Sequence, residues 1–131
     1  MKHLMFLAGV LEAAGLAEGG RDLFVGTLPS DVAKGIMLVD PLTGHEIDEG
    51  LRGFFASDFQ AIVRDPDPLD GYARALAISA ALTLADTGND DVFVTWCRPM
   101  TLPISYPRGD ADDIETSVRF RIGFGLKVHG D

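Results

Sequence analysis

Phe54-Phe55-Ala56-Ser57-Asp58-Phe59-Gln60-Ala61-Ile62-Val63-Arg64 runs straight into Asp65-Pro66-Asp67-Pro68-Leu69-Asp70-Gly71. In the first stretch Phe59, Ala61 and Val63 alternate with Gln60, Ile62 and Arg64. A period of two puts one set on each face of a half-buried strand. The prolines of the second stretch end that strand. Asp67 can accept from a free backbone N–H at a helix start, and Pro68 suits the first helical position, where no N–H is needed. The pair of stretches therefore predicts a long strand over 54–64 followed by a helix over 69–85. Tyr72, Ala75, Leu76, Ser79, Leu82 and Thr83 share one face of that helix, and its alanines favour helix and close packing.

Upstream, Leu4, Leu7, Ala8, Leu11 and Ala14 fall at helical spacing, which predicts a helix over 3–17 stopped by Gly19-Gly20. Met5, Phe6 and Val10 widen the apolar stripe, so this helix should be buried on more than one side, against a sheet or another subunit. Short strands are expected at 22–27 and 36–39. Leu28-Pro29-Ser30-Asp31 and Asp40-Pro41-Leu42-Thr43-Gly44 carry turn chemistry, and His45 to Gly53 reads as an exposed loop. Downstream, Asp86-Thr87-Gly88-Asn89-Asp90 reads as a turn and 92–96 as a strand. A Pro-broken extended segment follows over 100–106, then a charged loop over 108–113. Over 117–128, Val118, Phe120, Ile122 and Phe124 alternate with Arg119 and Arg121 in a long final strand. The sum is a single α+β domain over 1–131: an antiparallel or mixed sheet of four to five strands packed by two helices.

With 131 residues, 47% of them hydrophobic and 24% charged, the chain has globular composition and can bury a core without staples. Twenty acidic and 11 basic side chains give a formal net charge of −9. Affinity for nucleic acid comes largely from cations neutralising phosphates, so this balance argues against a nucleic-acid-binding role. No basic run offers attraction to a membrane surface. Lys2 followed by Leu4 to Leu11 loosely mimics a secretory leader. The run is short and Glu12 interrupts it, so an amphipathic first helix is the plainer reading. No stretch approaches the ~20 apolar residues of a membrane span, and the expectation is a chain made in the cytoplasm.

Candidate chemistry is thin. Cys97 is the single cysteine, and its neighbours Val92, Val94 and Trp96 mark a strand, so a buried or half-buried thiol that behaves as a small hydrophobe is expected. His3, His45 and His129 are far apart and carry no partner motif. Asp65, Asp67 and Asp70 lack the D-x-D-x-D-G spacing of a calcium loop, and a helix cap accounts for them. Asp110, Asp112, Asp113 and Glu115 form an acidic run of the kind that binds hard cations but more often solvates a loop. Arg108-Gly109-Asp110 is too short to carry meaning. Phosphate-binding glycine loops, nucleophile elbows and zinc-helix motifs are absent from the sequence. No catalytic, cofactor-binding or metal-ligating residue is assigned, and no cofactor is expected. What stands out is apolar residues in or beside loops: Leu42, Ile47, Leu51, Phe54 and Phe55. Such residues are tucked under the domain or buried against a partner, and they are the candidate subunit interface.

Taken together, Gly19-Gly20-Arg21-Asp22-Leu23-Phe24, Leu28-Pro29-Ser30-Asp31-Val32, Gly35-Ile36-Met37-Leu38, Asp40-Pro41-Leu42-Thr43-Gly44, Ile47-Asp48 and Phe59 to Arg64 resemble a family of long-tailed bacteriophage proteins. These are the tail terminator, or tail completion, proteins, also labelled minor capsid proteins. The matching stretch spans Gly15 to Leu84, about half the chain. The resemblance implies a non-enzymatic structural subunit of the virion. It implies a homo-oligomeric ring, a hexamer, that caps the head-proximal end of the tail tube. Its partners would be the tube protein and a neck or head-completion protein, with DNA passing through the lumen without specific binding. The acidic charge suits such a conduit if the carboxylates face the lumen. Two alternatives stay open at this point: another neck component such as a head-completion adaptor, and a small metal- or ligand-binding module using the Asp110 to Glu115 loop.

Overall fold

The computed structural model describes residues 2–29, 31–41, 46–47, 53–107 and 114–127, with the main chain alone at 46–47. In chain order the elements are α1 (Lys2–Ala13), β1 (Leu23–Val25), β2 (Gly35–Val39), β3 (Glu46–Ile47), β4 (Phe54–Asp65), α2 (Pro68–Ala81), β5 (Leu84–Gly88), β6 (Val92–Pro99), β7 (Ile104–Pro107) and β8 (Ile114–Leu126).

The sheet is organised around β4 and β8. They pair antiparallel over their whole length, from Phe54↔Gly125 to Asp65↔Ile114. Each carries an interrupted partner on its outer side. Along β4 the partner is β2 and then β3; along β8 it is β6 and then β7. β1 joins β2 in parallel and β5 joins β6 antiparallel. The path is β1-β2-β4-β8-β6-β5, and with β3 and β7 the sheet has eight strands and is mixed.

The expectation of four to five strands is therefore too low. Residues 46–47, read as loop, form β3 on the edge of β4. The helix expected to reach 85 ends at Ala81, and Leu84–Gly88, half of it read as turn, is β5. The turn itself is narrower. The Asn89 side chain accepts from the N–H groups of Asp91 (2.8 Å) and Val92 (3.0 Å), and that closes the β5–β6 hairpin.

Both helices lie on one face of the sheet. α1 buries His3, Leu4, Leu7, Ala8 and Leu11. It ends four residues before the expected stop because Gly15 adopts φ 75°. There the Gly15 N–H meets the Glu12 carbonyl and the Leu16 N–H meets the Leu11 carbonyl, a left-handed cap that closes the last turn. α2 starts where its sequence says. Asp67 accepts from the N–H groups of Leu69 (2.9 Å) and Asp70 (3.4 Å). Its buried stripe, however, is Gly71, Ala75, Ile78 and Leu82. That is rotated by one position from the expected face: Leu76 is exposed, Tyr72 and Ser79 half-buried. Small residues give a weak directional signal, and Gly71 is needed where α2 passes Asp65 and Thr116. A Cβ there would lie 3.3 Å from the Asp65 Cβ and 3.4 Å from the Thr116 Oγ1.

Between the layers, the alternating sets of β4 and β8 meet the helices. Phe59, Ala61 and Val63 are buried with Val118, Phe120, Ile122 and Phe124. Phe59 and Phe120, a cross-strand pair, stack at 4.9 Å. Cys97 is buried here, as expected, and burial pushes its thiol up from 9.0 to about 12. The opposite face of the sheet carries no helix among the described residues. Among the described residues, no helix is long and apolar enough to cross a membrane.

Candidate functional site

The polar groups that the fold buries serve the fold. Arg64, on the face away from the helices, is 5% exposed. Its guanidinium donates to the carbonyls of Pro29 (2.8 Å) and Val32 (3.0 Å) and pairs with Glu115 at 3.1 Å. One side chain thus ties the 29–32 connection to the central strands. Asp65 is buried under the start of α2, and its Oδ1 accepts from the Asp67 N–H at 2.9 Å. Asp65 and Asp67 therefore set the strand-to-helix junction, as a cap reading requires, while Asp70 sits in the first turn of α2. His3, which has no partner motif in sequence, is buried, stacked on Phe124 at 4.4 Å and paired with Asp40 at 2.8 Å.

Of the candidate interface residues, Leu42 and Leu51 lie outside the described residues. Ile47 is in β3 opposite Phe55. Phe54 and Phe55 are half-buried residues of β4: the Phe54 ring covers Gly125, and Phe55 stacks on Phe124 at 5.3 Å. Asp110, Asp112 and Asp113 also lie outside the described residues, as do His45, His129 and the Arg108 to Asp110 tripeptide. Glu115, the remaining member of the acidic run, is committed to Arg64. Among the described residues no group of three or more His, Cys, Asp or Glu could hold a metal ion.

The surface is more informative. From β6 to β7 the chain exposes one apolar residue after another: Trp96 (36%), Met100, Leu102 (72%), Ile104 (62%) and Tyr106. All four residues of β7 are exposed. β8 is its only strand partner among the described residues, so its outer edge is open. Desolvation, and then the charge of Glu115, raise the Tyr106 phenol above its ordinary range. Arg98 lies 5.4 Å over the Trp96 ring. Beside it on the helix-free face stand Arg119 and Arg121, the latter paired with Asp58 at 3.1 Å. At the other edge of the sheet, α1 and β1 frame a mainly apolar cleft of about 370 Å³. Its lining includes Met5, Ala8, Leu23, Phe24 and Val25, with Glu12 in the wall.

Sequence reasoning missed both edges. The 100–106 segment was legible as extended and Pro-broken, and its apolar residues (Met100, Leu102, Ile104, Tyr106) were the available signal. The width of the α1 stripe was a signal for the cleft, since Met5 is 61% exposed in the single chain.

Buried charges hold the loops and caps of this α+β fold, and apolar residues are displayed from the end of β6 to β7. The chain is a structural assembly protein. Residues 10–124 match the model of the bacteriophage tail terminator protein family, and the chain belongs to that family. It is accordingly a non-enzymatic component of the virion tail. The fold is similar to that of a chain in the virion of a native gene transfer agent particle, with 20% identity, 92% of each chain covered and a TM-score of 0.68. A second solved chain aligns over 92% of this chain and 89% of its own at 16% identity, with a TM-score of 0.40. A search of curated protein sequences gave no match.

Proposed function

We propose that this protein forms a ring, a hexamer, at the head-proximal end of the tail tube, where it stops tube growth and joins the tube to the neck. The observation that carries this reading is the family match, which spans nearly the whole described fold. The likeness to a chain of a gene transfer agent virion supports a particle setting of the same kind. DNA passes through the lumen in this reading. A conduit needs few cations turned to the duplex, because phosphate neutralisation makes DNA stick. The charge distribution allows that orientation. Arg119 and Arg121 share the helix-free face with Asp58, while Glu18, Asp70 and Asp90 sit, among Lys2, Arg21 and Arg74, on or beside the helices and on the β5–β6 turn. The lumen is then lined from the acidic side, and the arginine-bearing face is turned away from it.

Electron microscopy of particles carrying this protein tests the reading. A six-fold ring between tube and neck, with a net-negative lumen, is the expected result. A ring seated on the portal, with no tube contact, would point to a head-completion adaptor instead. A neutral or basic lumen would sink the charge argument.

A further inference from the structure

We propose that the β7 edge of one copy seats in the α1–β1 cleft of the next, so that two unlike surfaces of the same chain make the subunit contact. The inference rests on the ring reading but is separable from it. Four observations carry it. The exposed apolar residues Met100 and Leu102 of the β6–β7 connection and Ile104 and Tyr106 of β7 follow one another at alternate positions of the chain. The concavity lined by Met5, Ala8, Leu23, Phe24 and Val25 lies on the opposite edge. The charges complement one another: Arg98 stands at the β6 end of the exposed segment, and the Glu12 carboxylate lies in the cleft wall over Gly19. Finally, the α1 stripe is wider than one sheet requires, and the unburied part of it, Met5, is the part that faces the cleft.

A donor edge and an acceptor cleft on opposite sides of a subunit cannot satisfy each other within a two-fold pair. They make a heterologous, head-to-tail contact, which closes into a ring or runs on as a filament according to the rotation between neighbours. The composition of the donor fits a contact core. Aromatic residues, Met and Arg are enriched in such cores, and here Trp96, Arg98, Met100 and Tyr106 lie within one short segment. Among the described residues β7 has no strand on its outer side, and an edge of that kind offers N–H and C=O groups to a neighbour.

Cysteine trapping tests this even if the contact is weak. Met5→Cys and Ile104→Cys both change exposed residues, so folding should be kept, and the native Cys97 is buried and slow to react. The two variants, one carrying a size tag, are mixed with a short bis-maleimide. A mixed 5–104 product in several-fold excess over either like-with-like product is expected. Equal yields, or dominance of the 5–5 or 104–104 product, overturn the contact. The double variant Met5→Cys/Ile104→Cys then separates the contact from the ring. A ladder of linked chains that stops at a closed product supports both. A ladder that runs on without limit keeps the contact and overturns the ring. Absence of any ladder, with both thiols labelled freely by a monofunctional maleimide, overturns the contact.

Discussion

Replacing Arg64 with Met should cost this protein about 3–4 kcal/mol of stability, a large fraction of what a domain of this size has. The figure follows from what the guanidinium touches. Arg64 and Glu115 have side chains 6% and 14% exposed and meet at 3.1 Å. Removing one partner of a buried pair leaves the other charge without compensation, which costs about 3–5 kcal/mol in measured cases. Two carbonyls, Pro29 and Val32, lose a charged donor as well, each bond worth about 1.5–3 kcal/mol before water replaces it. Offsetting these, Met fills part of the volume, and the 29–32 connection can loosen toward solvent. Urea unfolding followed by far-UV circular dichroism gives the difference. The cycle with Glu115→Gln isolates the pair. Once Glu115 is neutral, Arg64→Met should cost about 1–2 kcal/mol less than in the native background. A loss below about 1 kcal/mol with no coupling would refute the reasoning, because it would mean that water reaches the pair and screens it.

Other outcomes follow from single positions. A Cβ added at Gly123 would lie 2.8 Å from the Trp96 ring and 2.9 Å from the Thr95 Oγ1, so Gly123→Ala should push the indole outward. Red-shifted tryptophan emission with a loss of about 1–3 kcal/mol is expected, and unchanged emission would count against the geometry. Asp67→Ala removes the α2 cap and should cost about 1 kcal/mol by thermal or chemical unfolding. Cys97 titrates near 9.0 when unfolded and at about 12 when buried. The folded state keeps the proton longer, so its stability relative to a Cys97→Ala variant is full below pH 9 and falls as pH rises from there toward 12. The difference should shrink by about 1 kcal/mol between pH 8 and pH 10, and a flat difference would mean the thiol is solvated.

The parts of this fold that could be read from sequence are those where one physical rule acts alone. β4 and the final strand β8 face a core on one side only, so their period of two survives in the residues. Asp67-Pro68 is a local cap whose partners lie within three residues. The strands that were missed depend on a neighbour. Leu84–Gly88 contains Asp86 and Gly88, residues of turns, and Asp86 takes φ 50°. It extends only because β6 supplies its bonds. β3 exists because β4 runs past it. The contacts of Arg64 with Glu115 and of His3 with Asp40 span 51 and 37 residues, distances over which no local pattern speaks. Of the loop residues expected at an interface, Phe55 turns inward to Phe124, because a strand here points alternate residues into the core. The surface that does stay uncovered, from Trp96 to Tyr106, was visible only as prolines interrupting an extended run.

The antiparallel pairing of β4 with β8 has a mechanical meaning. The connection entering β4 leaves one end of the ladder, and the connection entering β8 leaves the other. A pull applied between those two ends drags the strands past each other. Every rung from Phe54↔Gly125 to Asp65↔Ile114 then bears load at once, over a span of about 40 Å at the usual strand rise. A pull between residues 53 and 126, at the same end, opens the rungs one after another. Force spectroscopy should read a single high rupture force for handles at 53 and 114 and a low one for handles at 53 and 126. The long axis of the β4–β8 ladder is thus the stiff direction of the subunit.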